Sequence, residues 1–114
     1  MIYEFCAENV TLLEKAMQAG ARRIELCDNL TVGGTTPSYG VTKAAVELAA
    51  NYDTTIMTMI RPRGGDFVYN ELEIAIMLED IRLAAQAGSQ GVVFGVLTAD
   101  KKLDKPNLEK LIAA

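Results

Sequence analysis

The sequence contains no histidine. That removes the commonest metal ligand and the commonest general base from any account of function. Basic residues are not in excess either: 11 Lys and Arg stand against 15 Asp and Glu, for a net charge of −4. A general nucleic-acid binder with a basic face is excluded, although a few local cations could still hold a small anion. No apolar run approaches the ~18–20 residues of a membrane-spanning helix, so no membrane partner is expected. The N-terminus, MIYEFCAEN, lacks the basic region and apolar core of a secretory signal. These absences predict a cytoplasmic chain. Cysteine is scarce, with only Cys6 and Cys27, and in a reducing compartment the two are expected as thiols rather than as a structural disulfide.

Against these absences stands an ordinary globular composition, 50% hydrophobic and 23% charged over 114 residues. That is enough for one small domain, spanning residues 1–114. Two segments repeat. Residues 15–27 read KAMQAGARRIELC and residues 83–95 read LAAQAGSQGVVFG. Each ends a helix on Ala-Gly, turns, and enters an apolar strand, with Gly20 and Gly88 at the expected helix C-caps. The rest of the chain fits the same frame. Strands are predicted near 2–8, 22–27, 54–61 and 91–98, and helices near 10–19, 39–51, 70–87 and 105–114. Asn9 and Asn70 are expected as helix caps, Glu73 stands at capping-box spacing from Asn70, and Pro106 suits a first helical turn.

Four βα units in succession imply a parallel sheet covered by helices, either an open sheet or part of a (β/α)8 barrel. Strand patterning favours the barrel. Tyr3, Phe5 and Ala7 share one face of the first strand, and Glu4, Cys6 and Glu8 the other. Ile24 and Leu26 oppose Glu25 and Cys27 in the same way. An open parallel sheet, buried on both faces, tends to show continuous apolar runs instead. A complete barrel needs about 250 residues, so the chain is expected to supply four units, half of a barrel that is truncated here.

The strings EFCAEN, AGARRIELCDNLTVGGTTPSYG, MIRPRGGDFVYN and GVVFGVLTAD resemble the N-terminal half of the CutC copper-homeostasis family. The resemblance runs along essentially the whole chain. It implies a (β/α)8 barrel of about twice this length. It also implies that the later strands, one of them carrying a histidine, have no counterpart here.

Three constellations carry chemistry. The first is Cys6 and Cys27, which share inward parity on neighbouring strands and as thiolates would suit Cu(I). Met57 and Met59 have compatible parity on the third strand. The plainer account is that Cys and Met are common core residues. The second is the loop Gly33, Gly34, Thr35, Thr36, which with Arg61 could hold an anion through backbone N–H groups and a guanidinium fork. It lacks the Lys of a P-loop, and Thr36 or Ser38 beside Pro37 could simply cap a helix. The third is a polar barrel mouth of Glu8, Glu25, Asp28, Arg61 and Arg63, with Asp66 placed to pin Arg63. Here Glu25 is expected to pair with Arg61, either to satisfy buried charge or to serve a site.

The resemblance implies a role in copper homeostasis, either by binding Cu(I) through Cys6 and Cys27 or by an indirect route, with no reaction to assign. The alternative is a barrel enzyme or binder that handles an anionic metabolite, a phosphate or carboxylate, at the C-terminal ends of the strands. A third reading is a barrel fragment with no activity of its own. Half a barrel exposes two sheet edges, so a homodimer or higher homo-oligomer is expected to cover them.

Overall fold

The computed structural model describes residues 1–114. Strands and helices alternate: β1 (Glu4–Glu8), α1 (Leu13–Gln18), β2 (Arg23–Cys27), a 3-10 turn (Leu30–Val32), α2 (Tyr39–Ala49), β3 (Thr55–Met59), α3 (Glu71–Ala87), β4 (Gly91–Val93) and α4 (Lys105–Ala113). The strands form one parallel sheet in the order β1-β2-β3-β4. Each strand is laid down beside its predecessor, with no point at which the order reverses. That is the order of a barrel wall and not of a doubly wound sheet.

Alternation along the strands divides the residues between two environments. Ala7, Ile24, Leu26 and Ile56 are fully buried against α1 and α2, with Leu13, Met17, Ala45 and Ala49. Ile60 continues this face into a second cluster with Met77, Ile81, Val96 and Leu111 beneath α3 and α4. The opposite face carries Glu4, Cys6, Glu8, Glu25, Met57 and Met59, all exposed or half-buried. Thr58 departs from the simple pattern, since it is polar yet buried on the helix side. Its hydroxyl meets Ser89 Oγ at 2.8 Å, and Ser89 donates in turn to the carbonyl of Gly91.

The ends of the elements follow local chemistry. Ser38 accepts from the Val41 N–H to start α2, and Asn70 and Glu73 form a complete capping box on α3. Asp104 accepts from the Asn107 N–H at the head of α4, with Pro106 in the first turn. Gly20 and Gly88 both take positive φ, +110° and +98°, just beyond the helices they terminate. The repeated Ala-Gly is therefore a repeated helix stop.

Three expectations about boundaries need correction. Asn9 does not cap α1, which starts at Leu13 with Leu12 before it in the left-handed region. Instead the Asn9 N–H bonds the Cys27 carbonyl at 2.8 Å, extending the β1–β2 ladder before the chain can coil. The fourth strand ends at Val93 rather than near 98. Its last ladder bond is donated by Ile60 N–H to the Val93 carbonyl, and farther on Leu97 N–H bonds the Phe67 carbonyl in the loop before α3. The third strand also stops short of its expected end, because the Arg61 N–H is taken by Thr36 Oγ1 and Pro62 has none to offer.

Candidate metal centre

The parallel register of β1 and β2 sets Cys6 beside Glu25 and Glu8 beside Cys27. Cys6 and Cys27 are thus diagonal neighbours on the same face. Their sulfurs lie 3.9 Å apart. One ligand atom each from Cys6, Glu25 and Cys27 falls within 4.8 Å of the others. The two thiols sit in different surroundings, Cys6 exposed and Cys27 buried. Cys27 is covered by the loop after β2: a Cβ on Gly34 would lie 3.5 Å from both Cβ and Sγ of Cys27. Burial, the nearby Cys6 thiol and the Glu25 charge together push the Cys27 thiol up to about 12. Two adjacent thiols and a carboxylate form a donor set that a soft or borderline cation fits, because such ions take thiolate sulfur and, in the borderline case, carboxylate oxygen.

Met57 stands level with Glu25 in the register but does not turn toward the thiols. Its side chain lies over Gly91, where a Cβ would come within 2.8 Å of Met57 Sδ. The thioether is directed at β4, away from the sulfur pair.

The arginines are engaged elsewhere. Arg61 does not pair with Glu25. Its Nη1 donates to the carbonyls of Val32 (2.7 Å) and Gly34 (3.0 Å), and its Nη2 donates to that of Gly65 (2.7 Å). The guanidinium also stacks over Phe67 at 4.8 Å. With 7% exposure, Arg61 is a buried clamp between the loops that follow β2 and β3. The loop carbonyls reach it before any carboxylate does, which is why the expected ion pair is missing. Arg63 is equally occupied. It bonds Glu73 at 2.6 Å, Asp66 at 3.0 Å and the Val68 carbonyl at 2.7 Å, and it stacks over Tyr69.

The remaining candidates have local roles. Glu8 accepts from the Leu30 N–H, and Asp28 accepts from the Asn29 N–H while its backbone bridges to Thr35. Gly33 lets the chain pass against Arg61, since a Cβ there would come 2.9 Å from Nη1. Thr36 ties the loop to the Arg61 backbone. A cleft of about 500 Å³ opens beside Thr35, Thr36, Arg61 and Arg63, but Asp80 also lines it. An anion there would meet that carboxylate and two guanidiniums already supplied with oxygen partners. Strand parity in the sequence placed both thiols on one face, and the register has them there. It did not group Glu25 with them, because it paired that carboxylate with Arg61.

Four consecutive βα units on a parallel sheet, with two thiols close together on the face away from the helices, define a class: a (β/α)8-type half-barrel. The match of the CutC family model to residues 1–114 narrows this further, and the chain belongs to the CutC family. A CutC family protein of Streptococcus pyogenes is 55% identical over 114 residues, and one of Enterococcus faecalis is 53% identical over 112. A Dictyostelium discoideum relative named as a copper homeostasis protein is 44% identical over 117 aligned positions, 96% of this chain and 42% of its own length. The crystal structure of a CutC protein from Streptococcus agalactiae superposes with a TM-score of 0.94 at 49% identity, covering 99% of this chain and 54% of that one. The chain spans about half the length of these relatives: 54% of the S. pyogenes and E. faecalis proteins.

Proposed function

We propose that this chain acts in copper homeostasis in the cytoplasm by binding Cu(I) through the thiolates of Cys6 and Cys27. The observation that carries the reading is the 3.9 Å separation of the two sulfurs on one sheet face. Thiolates are soft donors and Cu(I) is the soft ion of the first transition row. The copper-homeostasis name of the Dictyostelium relative supports the choice of cargo. The chain serves as a binder and not as an enzyme. The alternative of an anionic metabolite loses support from the engagement of Arg61 and Arg63 with carbonyls and carboxylates.

A second copy of the chain covers the open edges of β1 and β4. Tyr3, Phe5, Leu12, Ala16 and Ala21 form an apolar groove beside the β1 edge, and Tyr3 and Leu12 are more than half exposed.

The test of metal binding is titration of the reduced chain with Cu(I) against a competing chelator, in the wild type, Cys6→Ser and Cys27→Ser. Both substitutions weaken binding. Equal affinity in all three proteins overturns the reading.

A further inference from the structure

We propose that Glu25 is the third ligand beside Cys6 and Cys27, and that it makes this site a receptor for a borderline divalent ion of the Zn(II) class as well as for Cu(I). The proposal rests on the reading of the two thiols as metal ligands.

The sulfur separation is the first argument. With metal–sulfur bonds of about 2.3 Å, sulfurs 3.9 Å apart subtend an angle of roughly 115° at the ion. An ion held in line between them would need a separation of about 4.6 Å. The observed spacing therefore suits a bent arrangement, which leaves room for a further ligand on the open side.

Glu25 is placed to take that position. It follows the same face of β2 two residues before Cys27 and lies beside Cys6 across the ladder. Its carboxylate oxygen is within 4.8 Å of both sulfurs. Unlike Glu8, it accepts no backbone N–H, and unlike Glu73, it has no guanidinium. Its one polar contact is with Cys27 Sγ, at 4.0 Å. A half-buried carboxylate without a cation or a hydrogen-bond donor other than a thiol is a group with its acceptor capacity unspent.

Charge gives the second argument. Two thiolates and one carboxylate carry three negative charges. A monovalent ion leaves two of them uncompensated, and a divalent ion leaves one. In a partly desolvated site that difference favours the divalent ion. Zn(II) accepts sulfur and carboxylate oxygen together, and three protein ligands leave its fourth position to water. Cu(I), which prefers soft donors, gains much less from the oxygen.

The experiment measures the affinities of the full reduced chain for Zn(II) and for Cu(I) by chelator competition, in the wild type, Glu25→Gln and Cys27→Ser. In Glu25→Gln the Zn(II) affinity falls at least about tenfold relative to the Cu(I) affinity. A smaller change in the ratio overturns the role of Glu25. If that variant fails to fold, the same threshold applies to Glu25→Asp, whose oxygen is withdrawn by one methylene. Cys27→Ser separates the two readings. It weakens both ions if the thiols are ligands, and if it weakens neither, the thiolate site itself is wrong.

Discussion

The Arg61 guanidinium donates to the carbonyl of Gly34 at 3.0 Å, so a side chain at the end of β3 holds the loop that lies over Cys27. Arg61 therefore bears on the candidate metal site through the backbone and without touching it.

Arg61→Met removes three charge-assisted hydrogen bonds to loop carbonyls and leaves those acceptors to find water. The expected loss of stability is about 3 kcal/mol, read by chemical denaturation. Arg61→Lys should recover little of it, since one ammonium cannot reproduce a planar fork spread over three carbonyls. A loss below about 1 kcal/mol for the Met variant would show that the clamp is dispensable.

Gly33→Ala acts on the same contact from the other side. Gly33 has φ of +92°, and an added Cβ would press on Arg61 Nη1 at 2.9 Å. Strain and displacement together should cost on the order of 1–3 kcal/mol. In the Arg61→Met background the steric part should disappear, so the two substitutions are expected to be non-additive in a double-mutant cycle.

Alkaline stability should depend on Cys27. Its thiol is pushed from 9.0 to about 12 by burial, by Cys6 and by Glu25. The folded chain thus holds this proton more tightly than the unfolded chain does. The stabilisation is fully present below about pH 9 and is lost as pH rises toward 12. Melting temperatures across that window should fall less steeply in Cys27→Ala than in the wild type. Parallel slopes would mean that Cys27 takes no part in the alkaline transition.

Acid stability should depend on Glu73. Its carboxyl is held below the usual carboxylate value by Arg63 and then by the Asn70 N–H of the capping box. The group is more acidic in the folded state, so its contribution is present above the unfolded value of 4.5 and is lost as pH falls through the lower folded one. Glu73→Gln keeps part of the cap and abolishes the ion pair with Arg63. It should flatten the stability profile below about pH 4.5, and an unchanged profile counts against the linkage.

The oligomeric state is read from the mass in light scattering. A value twice that of the 12.3 kDa chain is expected. A monodisperse monomer removes the second copy from the open edges.

The order of elements was legible because period-two and helical patterns persist over whole segments, and because Gly20 and Gly88 mark equivalent helix ends. The same parity rule put Cys6, Glu25 and Cys27 on one face. The destination of Arg61 was not legible. Its acceptors are carbonyls of Val32, Gly34 and Gly65, and carbonyls are common to every residue and leave no mark in a sequence. Their positions depend on the 3-10 turn at Leu30–Val32 and on glycines at positive φ, features of single residues without a period. The start of α1 was obscure for a similar reason, since Leu12 occupies a left-handed conformation that its side chain does not announce.

The diagonal placement of the cysteines also has a redox meaning. One strand across and two residues along, their α-carbons stand about 8 Å apart. A disulfide closes only when that distance is below about 7 Å. A metal ion, with two bonds of about 2.3 Å, spans what a direct sulfur–sulfur bond cannot. The sheet register therefore keeps this pair from sealing itself under oxidation, and leaves both sulfurs available to a cation.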